Sequence, residues 1–88
     1  MIFRFPGALL RFVDYRREIQ FEDSTVEAAV ASLIGRHPML EPVLLDGSGR
    51  IRTVHRLFLN GEQFDHGAHR GSLGEGDCIE IVTALAGG

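Results

Sequence analysis

Residues 23–38, DSTVEAAVASLIGRHP, carry the apolar spacing of an amphipathic helix, and the other regular segments of the chain alternate as strands. One helix among several strands constrains the fold more than any other feature. A sheet with one apolar face must bury that face, and a single helix covers a single sheet. Val26, Val30, Leu33 and Ile34 fall on one side of the helix, with Ala29 beside them. Ser24 and Glu27 have the spacing of a capping box, in which each side chain satisfies an orphan amide at the helix start. Gly35 and Pro38 mark the stop.

The strands follow from period-two alternation. In IFRF (residues 2–5) Phe3 and Phe5 share a face opposite Arg4, and Pro6-Gly7 ends the run. In EIQFE (18–22) Ile19 and Phe21 point inward, so the two runs pair as antiparallel neighbours. HRLFLNGEQF (55–64) reads as strand, Asn-Gly turn, strand, with Leu57 and Leu59 on one face and Phe58 on the other. CIEIVTA (78–84) is the last strand, with Ile79 and Ile81 inward. ALLRFVDYR (8–16) has no regular period and reads as loop or irregular structure. Residues 39–45 read as a short helical turn interrupted by Pro42, DGSG (46–49) as a turn or mobile loop, and the Gly-rich stretch 65–77 holds Leu73 as an apolar plug. The order is ββαβββ. Its predicted core joins Phe3, Phe5, Ile19, Phe21, Leu57, Leu59, Ile79 and Ile81 to Val26, Val30, Leu33 and Ile34.

Eighty-eight residues make one domain, and an apolar fraction of 44% argues against disorder. The formal charge of −3 disfavours nucleic acid and anionic membranes as partners, and predicts that a partner steered by charge is basic. A lone cysteine, Cys78, makes no internal disulfide. Flanked by Asp77 and Glu80, it reads as a small structural residue at a strand start, because a reactive thiolate wants cations nearby. No apolar run approaches the roughly 20 residues of a membrane span. Arg4 and Arg11 interrupt the first residues where a signal peptide has none, so the expected location is cytoplasmic. His66 and His69, with His37 and His55 elsewhere, fall short of a closed metal-ligand set, and no metal is expected. GSLGEGD (71–77) lacks the Lys-Ser/Thr step of a phosphate loop and reads as a turn. Glu41 and Asp46 read as solvated loop acids. Arg50, Arg52 and Arg56 read as a solubilising strand edge, or as a contact for an acidic rim.

The chain finishes on ALAGG (84–88), after the last strand. Two terminal glycines contribute no packing and order at the highest backbone entropy cost. With the ββαββ order, LFLNGEQF and LGEGDCIEIV, this ending resembles the MoaD/ThiS family of sulfur carriers. The likeness spans nearly the whole chain. Its longer members, the molybdopterin-synthase small subunit and the sulfur carrier of a cysteine pathway, resemble it in LLDGSGRIRTVHRLFLNGEQF and in the Gly76-Asp77 step. Val82-Thr83 stand where the family often has an aromatic-Pro pair. The resemblance implies an α+β, β-grasp (ubiquitin-like) fold: a mixed four- to five-stranded sheet covered on one face by a single main helix, with domain 1–83 and tail 84–88.

By the same resemblance the protein is a carrier, not an enzyme, or the small subunit of a sulfur-transferring synthase. Gly88 would be adenylated by an E1-like activating enzyme that uses ATP, then converted to a thiocarboxylate. That group would donate sulfur to a sulfur-accepting synthase in cofactor, cysteine or secondary-metabolite biosynthesis. No cofactor is bound. Leu85, Ala86 and Gly87 would thread the partner's active site; five residues reach roughly 17 Å at about 3.3–3.6 Å each. Phe58 and Val82, on the outer sheet face, would bind the partner. The alternatives are a ubiquitin-like modifier joined to target lysines through Gly88, and a β-grasp interaction module with an inert terminus.

Overall fold

A computed structural model of the chain describes residues 1–65 and 72–84. The alternating runs form five strands: Ile2–Arg4 (β1), Glu18–Gln20 (β2), His55–Leu59 (β3), Glu62–Phe64 (β4) and Cys78–Thr83 (β5). They make one sheet in the order β2-β1-β5-β3-β4. β1 runs parallel to β5, and the other neighbouring pairs are antiparallel. The helix Val26–Arg36 (α1) lies on one face, and Glu41–Leu44 (α2) is a single turn after it. This is the mixed, helix-covered sheet that the apolar pattern demands.

The start of α1 differs from the expected capping box by one residue. Thr25, not Ser24, is the N-cap, and its Oγ1 accepts from the Ala28 N–H at 3.1 Å. Glu27 therefore sits in the first turn, where its charge meets the positive end of the helix. The backbone carbonyl of Ser24 accepts instead from the Leu73 N–H at 2.7 Å, which pins the 72–77 segment beneath the helix start.

In α1 the fully buried row is Val26, Ala29 and Leu33, at i, i+3 and i+7. Val30 and Ile34 border it and are half-buried, as is Leu59 on β3. Phe3 meets Phe21 edge-on with ring centroids 5.3 Å apart, and Phe5 lies 6.4 Å from Phe3. Phe5 and Phe21 are buried although they fall just outside their strands.

The stretches without a period supply the rest of the core. Leu9 in the 3₁₀ helix Gly7–Phe12, Val13 after it, Leu40 in the 3₁₀ turn Pro38–Leu40 and Leu44 in α2 are all buried. Turns of this length bury one residue each, so they leave no repeat in the sequence. Pro42 does not interrupt the helical turn. It lies in the first turn of α2, where a missing N–H leaves no bond unmade. Leu73 is buried, as its isolation among glycines suggested.

Candidate functional site

β5 is the central strand, with β1 on one side and β3 on the other, and it leads directly to the C-terminal residues. Thr83, its last residue, is opposite His55, the first of β3. One residue further, the Ala84 N–H donates to the Val54 carbonyl at 2.9 Å. The root of the tail is therefore held at residue 84.

His55 braces this junction from inside. Its position in the inward phase with Leu57 buries it. Nε2 lies 3.0 Å from the Val43 carbonyl and Nδ1 lies 2.9 Å from Thr83 Oγ1. A carbonyl only accepts, so Nε2 donates to Val43, and Nδ1 shares a hydrogen bond with the Thr83 hydroxyl. One side chain thus joins α2, β3 and the end of β5. The histidine count in the sequence did not single it out; its inward phase was the available signal.

The outer sheet face carries the predicted docking residues. Phe58 is opposite Glu80 on β5 and Gln63 on β4, and Val82 is opposite Arg56. Phe58 and Val82 are diagonal neighbours, not a direct pair. Phe58 is half-buried and Val82 exposed. On the other diagonal lies half-buried Cys78, directly opposite Ile2. Around this apolar diagonal the face is charged. Arg4 Nε donates to Glu18 Oε2 at 2.8 Å, and that bond makes the guanidinium still harder to deprotonate.

The opposite end of β5 is tied to the hairpin turn. Asn60 has φ of 51° and Gly61 of 91°, the left-handed pair that an Asn-Gly hairpin turn requires. The Asn60 backbone N–H donates to the Cys78 carbonyl, and its side-chain carbonyl accepts from the Cys78 N–H, both at 2.9 Å. Its Nδ2 donates to Asp77 Oδ1 at 2.9 Å, while Asp77 Oδ2 accepts from the Gly74 N–H at 2.8 Å. The Gly76-Asp77 step is thus a structural clasp.

Asp46 is an organiser of its loop. Its Oδ1 accepts from the Ser48 hydroxyl at 2.7 Å and from the Ser48 and Arg50 amides at 2.9 and 3.0 Å. These bonds, the hydroxyl foremost, hold its carboxyl below the usual range. DGSG is a bonded turn, closed by the bridge between Leu45 and Ile51. Among the described residues, no three His, Cys, Asp or Glu side chains are placed to hold a metal ion. His66 and His69, and the predicted threading and reactive residues Leu85, Ala86, Gly87 and Gly88, lie outside the described residues.

A β-grasp sheet with a Gly-Gly ending beyond its central strand directs comparison to small carrier proteins. The ThiS family model matches residues 4–88. The chain belongs to the ThiS family. Solved structures share its fold. SAMP1 of Haloferax volcanii is 24% identical, with a TM-score of 0.80 over 100% of this chain and 98% of that one. A chain of the BexX/CysO complex of Amycolatopsis orientalis is 19% identical, with a TM-score of 0.81 over 99% of this chain and 98% of that one. Urm1 of Sulfolobus solfataricus is 18% identical, with a TM-score of 0.75 over 94% of this chain and 99% of that one. None of the curated proteins matches the sequence. No helix among the described residues of this ThiS-family chain is long and apolar enough to cross a membrane.

Proposed function

We propose that this ThiS-family protein is a sulfur carrier whose reactive group is the carboxylate of Gly88. The observation that carries the reading is the family match, which runs through Gly87 and Gly88, the residues just beyond the central strand. A carboxylate is a poor electrophile. An E1-like partner makes it reactive by joining it to the α-phosphate of ATP with loss of pyrophosphate. A sulfide nucleophile then attacks the carbonyl, AMP leaves, and Gly88 ends as a thiocarboxylate. Glycine suits this site because a side chain would widen the tail and hinder attack. The chain itself serves as co-substrate. Adenylation belongs to the activating enzyme and sulfur transfer to an accepting synthase of cofactor or cysteine biosynthesis. Phe58 and Val82 present an apolar diagonal for such partners. The complex of the similar CysO chain with BexX supports a carrier that works docked on another protein.

A second reading is a protein modifier joined through Gly88 to lysines of a target. The likeness to small archaeal modifier protein 1 favours it. The chain has no lysine, so it builds no lysine-linked chains of itself. Both readings share the adenylate and differ in the nucleophile that follows.

Intact mass spectrometry after co-expression with the cognate activating enzyme tests this. A gain equal to one sulfur-for-oxygen exchange at the C terminus supports the carrier. Conjugates to lysines of other proteins support the modifier. Full activity after deletion of Gly87 and Gly88 sinks both readings and leaves the inert interaction module.

A further inference from the structure

The register of the sheet sorts the surface residues into two ends. At the Thr83 end, β1, β4 and β5 leave the sheet and β2 and β3 enter it. At the Cys78 end lie the start of β1, the exit of β2, the Asn60-Gly61 turn and the start of β5. The six residues of β5 separate the ends by about 20 Å at ~3.3 Å per residue.

Among the described residues the exposed large apolar side chains are Tyr15 (72%), Met39 (73%), Val54 (39%) and Val82 (42%). All four belong to the Thr83 end. Tyr15 lies in the β1–β2 connection, which closes there through the Phe5 N–H bond to the Arg17 carbonyl at 2.8 Å. Met39 follows His37, whose Nδ1 is 3.9 Å from Asp14 in that same connection. Val54 accepts from Ala84, and Val82 precedes Thr83. Asp14 and Tyr15 have φ of 55° and 59°, a left-handed pair in which neither residue is glycine. That conformation is disfavoured for both, and at the second residue of the pair it coincides with a largely exposed ring.

The charges sort the same way. Exposed Arg11, Arg16, Arg17, Arg52 and Arg56 lie in the segments that meet at the Thr83 end, against the acids Asp14, Glu18, Glu41 and Asp65, of which Glu18 is paired with Arg4. At the Cys78 end lie Glu22, Asp23, Glu62, Glu75 and Asp77. Among the described residues the cations there are the Met1 amino group, bonded to the Phe21 carbonyl at 2.8 Å, and Arg36, which reaches over the Phe21 ring. Twenty ångströms is about two Debye lengths in physiological salt, so a partner at one end does not feel the other.

We propose that the collar around the tail root is a docking face for the activating enzyme, and that it fits a tail-receiving mouth rimmed with carboxylates. Tyr15, Met39, Val54 and Val82 form its apolar seat, and the arginines orient the protein tail-first despite its net negative charge. This rests on the carrier reading above and adds the chemistry of the partner. Charge complementarity of this kind acts on encounter and register.

The test is ATP–pyrophosphate exchange by the cognate activating enzyme, measured against concentration of the carrier. Reversing Arg16→Glu with Arg17→Glu raises KM about tenfold or more at low salt, the scale of electrostatic steering, with kcat within about twofold. The penalty shrinks as salt rises. Tyr15→Ser raises KM by an amount that salt does not remove. Glu22→Arg with Glu62→Arg, at the far end, leaves KM unchanged at physiological salt, where the collar reversal still raises it. Arg11→Glu, in a separate segment, repeats the collar effect if the double variant folds poorly. An unchanged KM in the collar variants, or an equal rise in the far-end control, overturns the collar while the wild-type exchange still supports the carrier. A wild-type chain that supports no exchange overturns both.

Discussion

The two ends of the sheet are built on different terms. The Cys78 end is finished. Asn60 bonds Asp77 and Asp77 bonds Gly74, the hairpin turn takes the left-handed angles from the residue types best suited to them, and among the described residues no large apolar side chain is exposed there. The Thr83 end is left open. It holds the exposed apolar side chains, and its left-handed pair falls on Asp14 and Tyr15. A domain that only had to be stable gains nothing from this asymmetry. The carrier proposed above would need a rigid end to anchor the strand and another end to meet its partner. The core serves both, because β5 runs through the middle of the sheet and cannot move without its neighbours.

Substitutions at matched positions break or sharpen this contrast. The largest effect belongs to His55, which braces the tail root. His55→Ala leaves the Val43 carbonyl and the Thr83 hydroxyl without their buried partner and opens a cavity between α2 and the sheet. Unsatisfied buried groups cost about 1–3 kcal/mol each, so a loss of roughly 2–4 kcal/mol is expected in urea denaturation. Hydrogen exchange reads the same event locally: the Ala84 amide, bonded to Val54, loses protection. Unchanged exchange at Ala84 would mean that the tail root is held without His55.

Asn60→Ala is the counterpart at the far end. It removes two side-chain bonds, to Asp77 and Cys78, and places a β-carbon residue at φ of 51°. A loss of about 1–2 kcal/mol is expected, from a left-handed alanine together with weakened exposed bonds. Asn60→Gly loses the bonds but tolerates the angle, so it costs less. Both leave the protection of Ala84 and the KM for the activating enzyme as in the wild type. A far-end variant that frees Ala84 as readily as His55→Ala would erase the distinction between the two ends.

What was legible in the sequence follows the same division. The hairpin, the last strand and the helix announce themselves because Asn-Gly and clean periods leave few alternatives, and these elements fix the sheet order. The Thr83 end was largely illegible. Its connections, 5–17 and 36–54, are 3₁₀ and single-turn helices with no period, yet they bury Leu9, Val13, Leu40 and Leu44. Net charge does not show how charge is distributed, for a physical reason. The value of −3 by itself points to a basic partner, and that Arg11, Arg16 and Arg17 share an end with Arg52 and Arg56 follows only from the assembled sheet. Phe58 and Val82 were placed correctly on the outer face because alternation alone decides that. Their diagonal, with Glu80 facing the ring, needed the register. Ser24 has the capping-box spacing, but its neighbour Thr25 offers the same hydroxyl one residue later and takes the cap.

The smallest expected effect tests whether the 46–50 loop belongs to either end. Asp46 is half-buried, its carboxylate accepts three hydrogen bonds, and its pKa is lowered in the folded state, chiefly by the Ser48 hydroxyl. A group with a depressed folded pKa adds stability above its unfolded value and loses it as pH falls through the folded one. The contribution is therefore present at neutral pH and disappears only below the ordinary carboxylate range. Amide shifts of Ser48 and Arg50 should titrate together in that acid window, and Asp46→Asn should abolish the titration while keeping an acceptor oxygen in place. Because the loop is tied to itself and to the Leu45–Ile51 bridge, the same acidification should leave the Ala84 and Cys78 amides protected. If either amide opens in step with Ser48, the loop is coupled to that end of the sheet, and the division into a clasped end and an open end needs a third member.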